Sequence, residues 1–219
     1  MCDGCLASAE PLSAEFFCTD CKTPFQNRYP LDPEGRCALC RLGARSFRAA
    51  YCFGAYEGVL LDLTRLFKYE GMKPLGTVLG DLLYRALPVD EAFDVVTPMP
   101  LHWRRRLERG FNQAEVLARH VARRRRLPLA RAVRRVRDTG SQTGLTPAQR
   151  RRNVAGAFRV RRAEAVRGNR VLLIDDVMTT GATASACAAE LKRAGAASVT
   201  VLALTRADRR IGSIPRGTS

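Results

Sequence analysis

Apolar residues along the chain gather into short runs separated by stretches of helical period, and this alternation sets the expected architecture. Phe93–Thr97 (FDVVT), Arg170–Ile174 (RVLLI) and Ser198–Thr205 (SVTVLALT) are compact runs, as expected of strands buried on both faces. Between them the spacing changes. Leu60, Leu63 and Phe67 recur at helical intervals before Gly71, and a second helix is predicted from about Leu75 to Leu87, between Pro74 and Pro88. Ala114, Leu117, Ala118 and Val121 line one face of Asn112–Arg125, and Gly181–Ala194 is a further helix ended by Gly195. YCFGAY, from Tyr51, suits another short strand. Strands alternating with helices predict an α/β fold, a parallel sheet flanked by helices.

Two stretches depart from this rhythm. Met1 to about Ala49 is rich in Cys, Pro and polar residues without sustained periodicity, and reads as a small metal-stapled module of the zinc-ribbon kind. Thr139–Asn153 is rich in Gly, Ser, Thr and Gln, a composition that suits a mobile lid, with a short helix from about Pro147. The last residues, with Gly212, Pro215 and Gly217, read as a frayed tail. The expected organisation is a cysteine-rich module over residues 1–49, a main domain over 50–210 and a tail over 211–219. With 219 residues and 46% hydrophobic composition, the chain can bury one domain core and carry an appendage. No apolar run approaches the roughly 20 residues of a membrane span. The opening Met1-Cys2-Asp3 lacks the cationic and then apolar start of a signal peptide, so a cytoplasmic location is expected.

Six of the eight cysteines fall into three CxxC pairs within the first 40 residues, which in a reducing compartment favours metal over disulfide or redox chemistry. Cys2 and Cys5 with Cys18 and Cys21 form two knuckles 12 residues apart, able to close a tetrahedral structural zinc site. Cys37 and Cys40 form a third knuckle without a fourth partner, a remnant or an alternative pair. Zinc would replace the hydrophobic core that such a polar segment cannot build. Cys52 and Cys187, in a predicted strand and a predicted helix, read as buried structural thiols.

Net charge is +16, and Leu101–Arg170 alone holds 21 Arg, no Lys and 4 acidic residues, so the excess belongs to one segment. A polyanion partner follows. Trp103 beside Arg104, Arg105 and Arg106 pairs an aromatic face with cations, the combination that stacks bases and neutralises a nucleic-acid backbone. Arg123, Arg124 and Arg125 are a second cluster, for which a solvated helix end is the competing reading. His102 and His120, both in Arg-rich stretches, read as surface residues rather than acid–base catalysts.

The densest chemistry lies in Val171–Ser185, VLLIDDVMTTGATAS. A four-residue apolar strand delivers Asp175 and Asp176 to its carboxyl end, where ligands bind in open α/β sheets. Two adjacent carboxylates suit a diol or a hydrated divalent ion. Thr179, Thr180 and Thr183 then lead through Gly181 and Ala182 into a helix, so hydroxyls and first-turn amides form a cradle for phosphate. The Lys and spacing of a Walker A loop are missing, which disfavours nucleoside triphosphate hydrolysis.

This string resembles the type I phosphoribosyltransferase signature. Three others, VTPMPLHWRRRLERGFNQAEVLAR (Val96–Arg119), RVRDTGSQTGLTPAQRRRNVAGAF (Arg135–Phe158) and LFKYEG (Leu66–Gly71), narrow the resemblance to the ComF family of competence-associated proteins. The resemblance implies that Asp175 and Asp176 hold the ribose hydroxyls of phosphoribosyl pyrophosphate, directly or through magnesium, and carry any catalysis, while Thr179 to Thr183 grip the 5′-phosphate. It implies a pyrophosphate loop at Pro98-Met99-Pro100, with a cis peptide as one way to aim its amides. Arg109 would meet a phosphate and Asn112 would cap the next helix. Gln142, Arg150 and Asn153 would be contributed as the lid closes. The implied role is binding of phosphoribosyl pyrophosphate and handling of incoming single-stranded DNA, with a competence helicase or recombination protein as partner. An active phosphoribosyltransferase of unknown acceptor is the alternative, and a ligand-sensing regulator a further one; no purine- or pyrimidine-specific motif is found.

Overall fold

Alternate side chains of the run Val171–Ile174 enter different cores, because a strand buried on both faces must be apolar at every position. Val171 and Leu173 join one cluster, Leu172 and Ile174 the other. The computed structural model describes residues 8–12, 15–140 and 145–208. The expected Cys2 and Cys5 ligands, the lid residue Gln142 and the tail over 211–219 lie outside them.

The central sheet holds β3 (Ala49–Ala55), β4 (Val95–Pro98), β7 (Arg170–Met178) and β8 (Ser198–Arg206) in the order β3-β8-β7-β4. All three pairings are parallel, with Val171 opposite both Val95 and Val199. β7 is longer than the apolar run, since its ladder with β8 continues to Met178 opposite Arg206. Helices cover both faces: α2 (Gly58–Tyr69), α3 (Leu75–Arg85) and α5 (Gln113–Arg125) on one, α7 (Ala182–Arg193) on the other. Gly80 lets α3 approach α5, for a Cβ there would lie 2.5 Å from Cγ of His120.

Three small elements break the expected pattern. Trp103–Arg109 forms a short helix, α4, and Val133–Arg135 (β5) pairs antiparallel with Phe158–Val160 (β6). A helix over the segment expected as a lid, α6 (Pro147–Val154), begins in a capping box between Thr146 and Gln149.

The cysteine segment carries the two-residue strands β1 (Phe16–Phe17) and β2 (Pro24–Phe25) and a single helical turn, α1 (Ala38–Arg41). Its Cys18, Cys21, Phe25, Leu39 and Phe47 share one core with Leu173 and with Ala184, Cys187 and Ala188 of α7. Polar contacts reinforce the junction: the Ser46 amide donates to Ser185 Oγ at 3.0 Å, and that hydroxyl donates to the Ala44 carbonyl at 2.6 Å. Cys52 and Cys187 are both buried, and burial pushes the Cys52 thiol up to about 12.

Candidate functional site

At the carboxyl end of β7, Asp175 and Asp176 leave the sheet side by side. Loss of hydration, and then the charge of Asp176, holds the Asp175 carboxyl well above the usual carboxylate range. Asp176 is compensated by Lys68 of α2, with Nζ 3.1 Å from Oδ2 and both side chains largely buried. The next residues turn into α7 through Gly181, whose φ of +76° favours glycine. Space requires glycine as well: a Cβ there would meet Met178 Cε at 2.8 Å and Leu39 Cδ1 at 2.9 Å. The turn is held from outside by Arg206, which donates to the Thr179 carbonyl, and by Arg150, which donates to Thr179 Oγ1 at 2.9 Å.

Opposite lies the turn after β4. The Met99 amide donates to the Ile174 carbonyl at 2.8 Å, and Asn112 Nδ2 donates to the Met99 carbonyl at 3.0 Å. Asn112 also caps α5, its Oδ1 accepting from the Ala114 amide at 3.1 Å, so one side chain fixes both loop and helix. The cis peptide expected here is corrected: every described peptide bond is trans.

These parts enclose a pocket of about 360 Å3 lined by Met99, Arg109, Arg150, Asp175, Asp176, Thr179 and Thr183 among the expected residues. Pro98 lies behind its wall, Gly181 and Ala182 supply turn backbone, and Thr180 faces the neighbouring cleft. Sequence reasoning missed Lys68, Arg105, Gln113 and Arg135 as pocket residues. Lys68 belongs to the LFKYEG string, and that membership is its one signal in the sequence. Five cations face two carboxylates here, a balance that suits a ligand with several phosphates. Asn153 does not reach the pocket; its Nδ2 holds the Thr139 carbonyl at 2.7 Å, at the base of the lid segment.

Of the expected metal ligands Cys18 and Cys21 are described, and they cluster with the third knuckle. Cys18, Cys21, Cys37 and Cys40 converge, with all four sulfurs within 4.8 Å of one another. Cys18–Cys40 and Cys21–Cys37 separations of 3.6 and 3.7 Å match the roughly 3.8 Å edge of a tetrahedron with Zn–S bonds of about 2.3 Å. The third knuckle closes with the second because β1 and β2 turn the chain back beneath α1.

The expected nucleic-acid residues separate. Trp103 is 58% exposed, with the Arg104 guanidinium 5.3 Å from its ring centroid. Arg105 points into the ligand pocket and Arg106 into a groove on the far side of α4. Arg123 is exposed, whereas Arg124 lies over Tyr84 and meets Asp81 at 3.6 Å, and Arg125 holds the Pro88 and Glu91 carbonyls. His102 and His120 are buried, not surface residues; His120 Nε2 lies 2.9 Å from Asp81 Oδ1, where α5 meets α3. No described helix is long and apolar enough to cross a membrane.

Comparison with known proteins adds sequence relationships to this geometry. The chain is 30% identical over 222 residues to competence protein F of Haemophilus influenzae, covering 94% of this chain and 90% of that protein. It is 39% identical over 114 residues to the DNA utilization protein YhgH of Escherichia coli K12, covering 52% of this chain and about half (49%) of that protein. Residues 107–215 match the phosphoribosyl transferase domain. Among solved structures, glutamine phosphoribosylpyrophosphate amidotransferase from B. subtilis superposes with a TM-score of 0.44 at 21% identity, over 63% of this chain and 30% of that chain.

Proposed function

Because this chain belongs to the competence protein F family, we propose that it binds phosphoribosyl pyrophosphate with magnesium and handles incoming single-stranded DNA in natural transformation. The relatives' names, a competence protein and a DNA utilization protein, support the DNA side. The ligand side is carried by one observation: twin carboxylates, a threonine-lined helix start and an arginine-rich wall meet in a single pocket.

In this reading Asp175 and Asp176 accept hydrogen bonds from the ribose hydroxyls. Thr179 and Thr183 donate to the 5′-phosphate, together with first-turn amides of α7. Arg105, Arg109 and the Met99 turn face the pyrophosphate. Arg150, already on the Thr179 hydroxyl, shifts onto phosphate as the lid segment closes and excludes water. Magnesium, held by the pyrophosphate beside the two carboxylates, would neutralise charge at that end of the ligand. Cys18, Cys21, Cys37 and Cys40 would hold structural zinc, and the partner would be a competence helicase or recombination protein.

Equilibrium dialysis against phosphoribosyl pyrophosphate and magnesium tests the ligand side; saturable one-to-one uptake is expected, and no uptake would remove the reading. Turnover is the second reading. A cleft of about 450 Å3 between the cysteine segment and Thr179–Thr180, walled by Phe25, Leu39 and Met178, gives an acceptor somewhere to sit. Pyrophosphate release screened across bases, amines and DNA separates binding from transfer.

A further inference from the structure

Resting on the reading of this chain as a handler of single-stranded DNA, we infer that the strand runs in the groove between α4 and the β5–β6 ribbon, and that this groove opens into the ligand pocket. Trp103 and Arg106 form one wall of the groove, and Arg131, Arg134 and Arg161 the other. Glu115 is the acidic residue in its lining, and its charge is already spent. Its carboxylate accepts from Arg119 at 2.7 Å and from Arg131, with Arg106 at 3.9 Å, so it spaces cations instead of repelling an anion. Arg134 and Arg161 are exposed, and neither meets a carboxylate among the described residues.

Arg134 stands directly opposite Arg159, a like-charged cross-strand pair that weakens a two-stranded ribbon. Arg159 has Glu190 of α7 at 3.6 Å, whereas Arg134 has no carboxylate among the described residues and lines the groove, where a phosphodiester backbone would meet it. The exposed indole of Trp103 supplies the stacking face that unpaired bases use and that a duplex, with its bases already stacked, cannot. These observations select a single strand over duplex DNA or an acidic peptide.

The groove and the ligand pocket share Pro100, Leu101, Asn112 and Arg135. Arg135 is the hinge of the arrangement. Its Nη2 donates to Thr139 Oγ1 and its guanidinium lies 5.6 Å from the Phe158 ring centroid, while Nε is buried without a hydrogen-bond partner and burial, then the charge of Arg105, pulls the group below its ordinary value. This one cation lines both the groove and the pocket, so phosphates on the two sides compete for its charge. Each must weaken the other by the same factor.

Fluorescence anisotropy of a labelled oligothymidylate of about 20 nucleotides, with the full chain across a salt series, tests the groove. Arg134→Glu/Arg161→Glu should lower affinity at least tenfold and flatten the salt slope, and Trp103→Ala should lower it about fivefold or more. Arg65→Glu/Arg85→Glu, with the same change of charge at exposed positions outside the groove, should stay within about twofold of the native protein. Equal loss in both double variants, or native affinity in the groove variant, would overturn the groove and leave DNA handling intact. No DNA binding by the native protein would overturn both. Equal competition by duplex DNA or polyglutamate would overturn the assignment of a single strand. Saturating phosphoribosyl pyrophosphate with magnesium should weaken DNA binding severalfold; unchanged affinity would overturn the shared wall.

Discussion

The guanidinium of Arg206 donates to the Thr179 carbonyl while its centre lies 4.5 Å from the ring centroid of Phe25. One side chain at the end of β8 therefore joins the Thr179–Gly181 turn to the cysteine segment. Asp208 completes the clamp, accepting from Arg206 Nε at 2.8 Å and from the Gln26 amide at 3.0 Å. Both members of the ion pair are about 95% buried.

Breaking a buried pair strands the remaining charge, so Arg206→Met should cost about 3–5 kcal/mol of stability. Urea unfolding measures this. Double replacement with Asp208→Asn should recover part of the loss, because the stranded carboxylate is then gone.

The cysteine segment also presses Leu39 and Phe47 against Gly181. Cys37→Ser should abolish a stoichiometric zinc signal in elemental analysis and lower affinity for phosphoribosyl pyrophosphate as the turn loses its support. Cys2→Ser should retain the zinc; if it loses the metal while Cys37→Ser keeps it, the ligand set is wrong.

Asp175 gives a stability signature with a defined sign. Its carboxyl is raised in the folded chain, so the folded state binds the extra proton and stability falls as pH climbs from the ordinary carboxylate range through the folded value. Asp175→Asn should be more stable to urea than the native protein at about pH 7.5, by on the order of 1 kcal/mol, and the gap should close toward pH 4. A gap that widens in acid would contradict the assignment.

Lys68 occupies the charge position beside Asp176. Lys68→Ala should weaken ligand binding about tenfold at limiting magnesium, with recovery as magnesium is raised and supplies the missing cation. Titrations at two magnesium concentrations read this out.

Much of the fold and of the pocket is legible in the amino-acid sequence. Val171–Ile174 can be read as a strand because both faces are covered, and Asp175 through Thr183 because carboxylates, hydroxyls and glycine occur in the order the chemistry needs. The four-cysteine cluster is not legible, since three identical CxxC spacings carry no information about which pair meets which; the meeting of Cys18 and Cys21 with Cys37 and Cys40 is decided by where β1 and β2 send the chain. β5 and β6, three residues each and arginine-bearing, carry too little apolar alternation to be recognised. Arg206 gives no signal either: a lone cation ending an apolar strand looks like an exposed end until Phe25 and Asp208 are seen around it.

Isothermal titration of phosphoribosyl pyrophosphate with magnesium, comparing the native protein with Asp175→Ala/Asp176→Ala, bears most directly on the ligand pocket. One-to-one binding by the native chain and at least a hundredfold loss in the double variant, about 2.7 kcal/mol or more, is the predicted result. Equal affinity in both proteins, or no heat of binding in the native one, would contradict it.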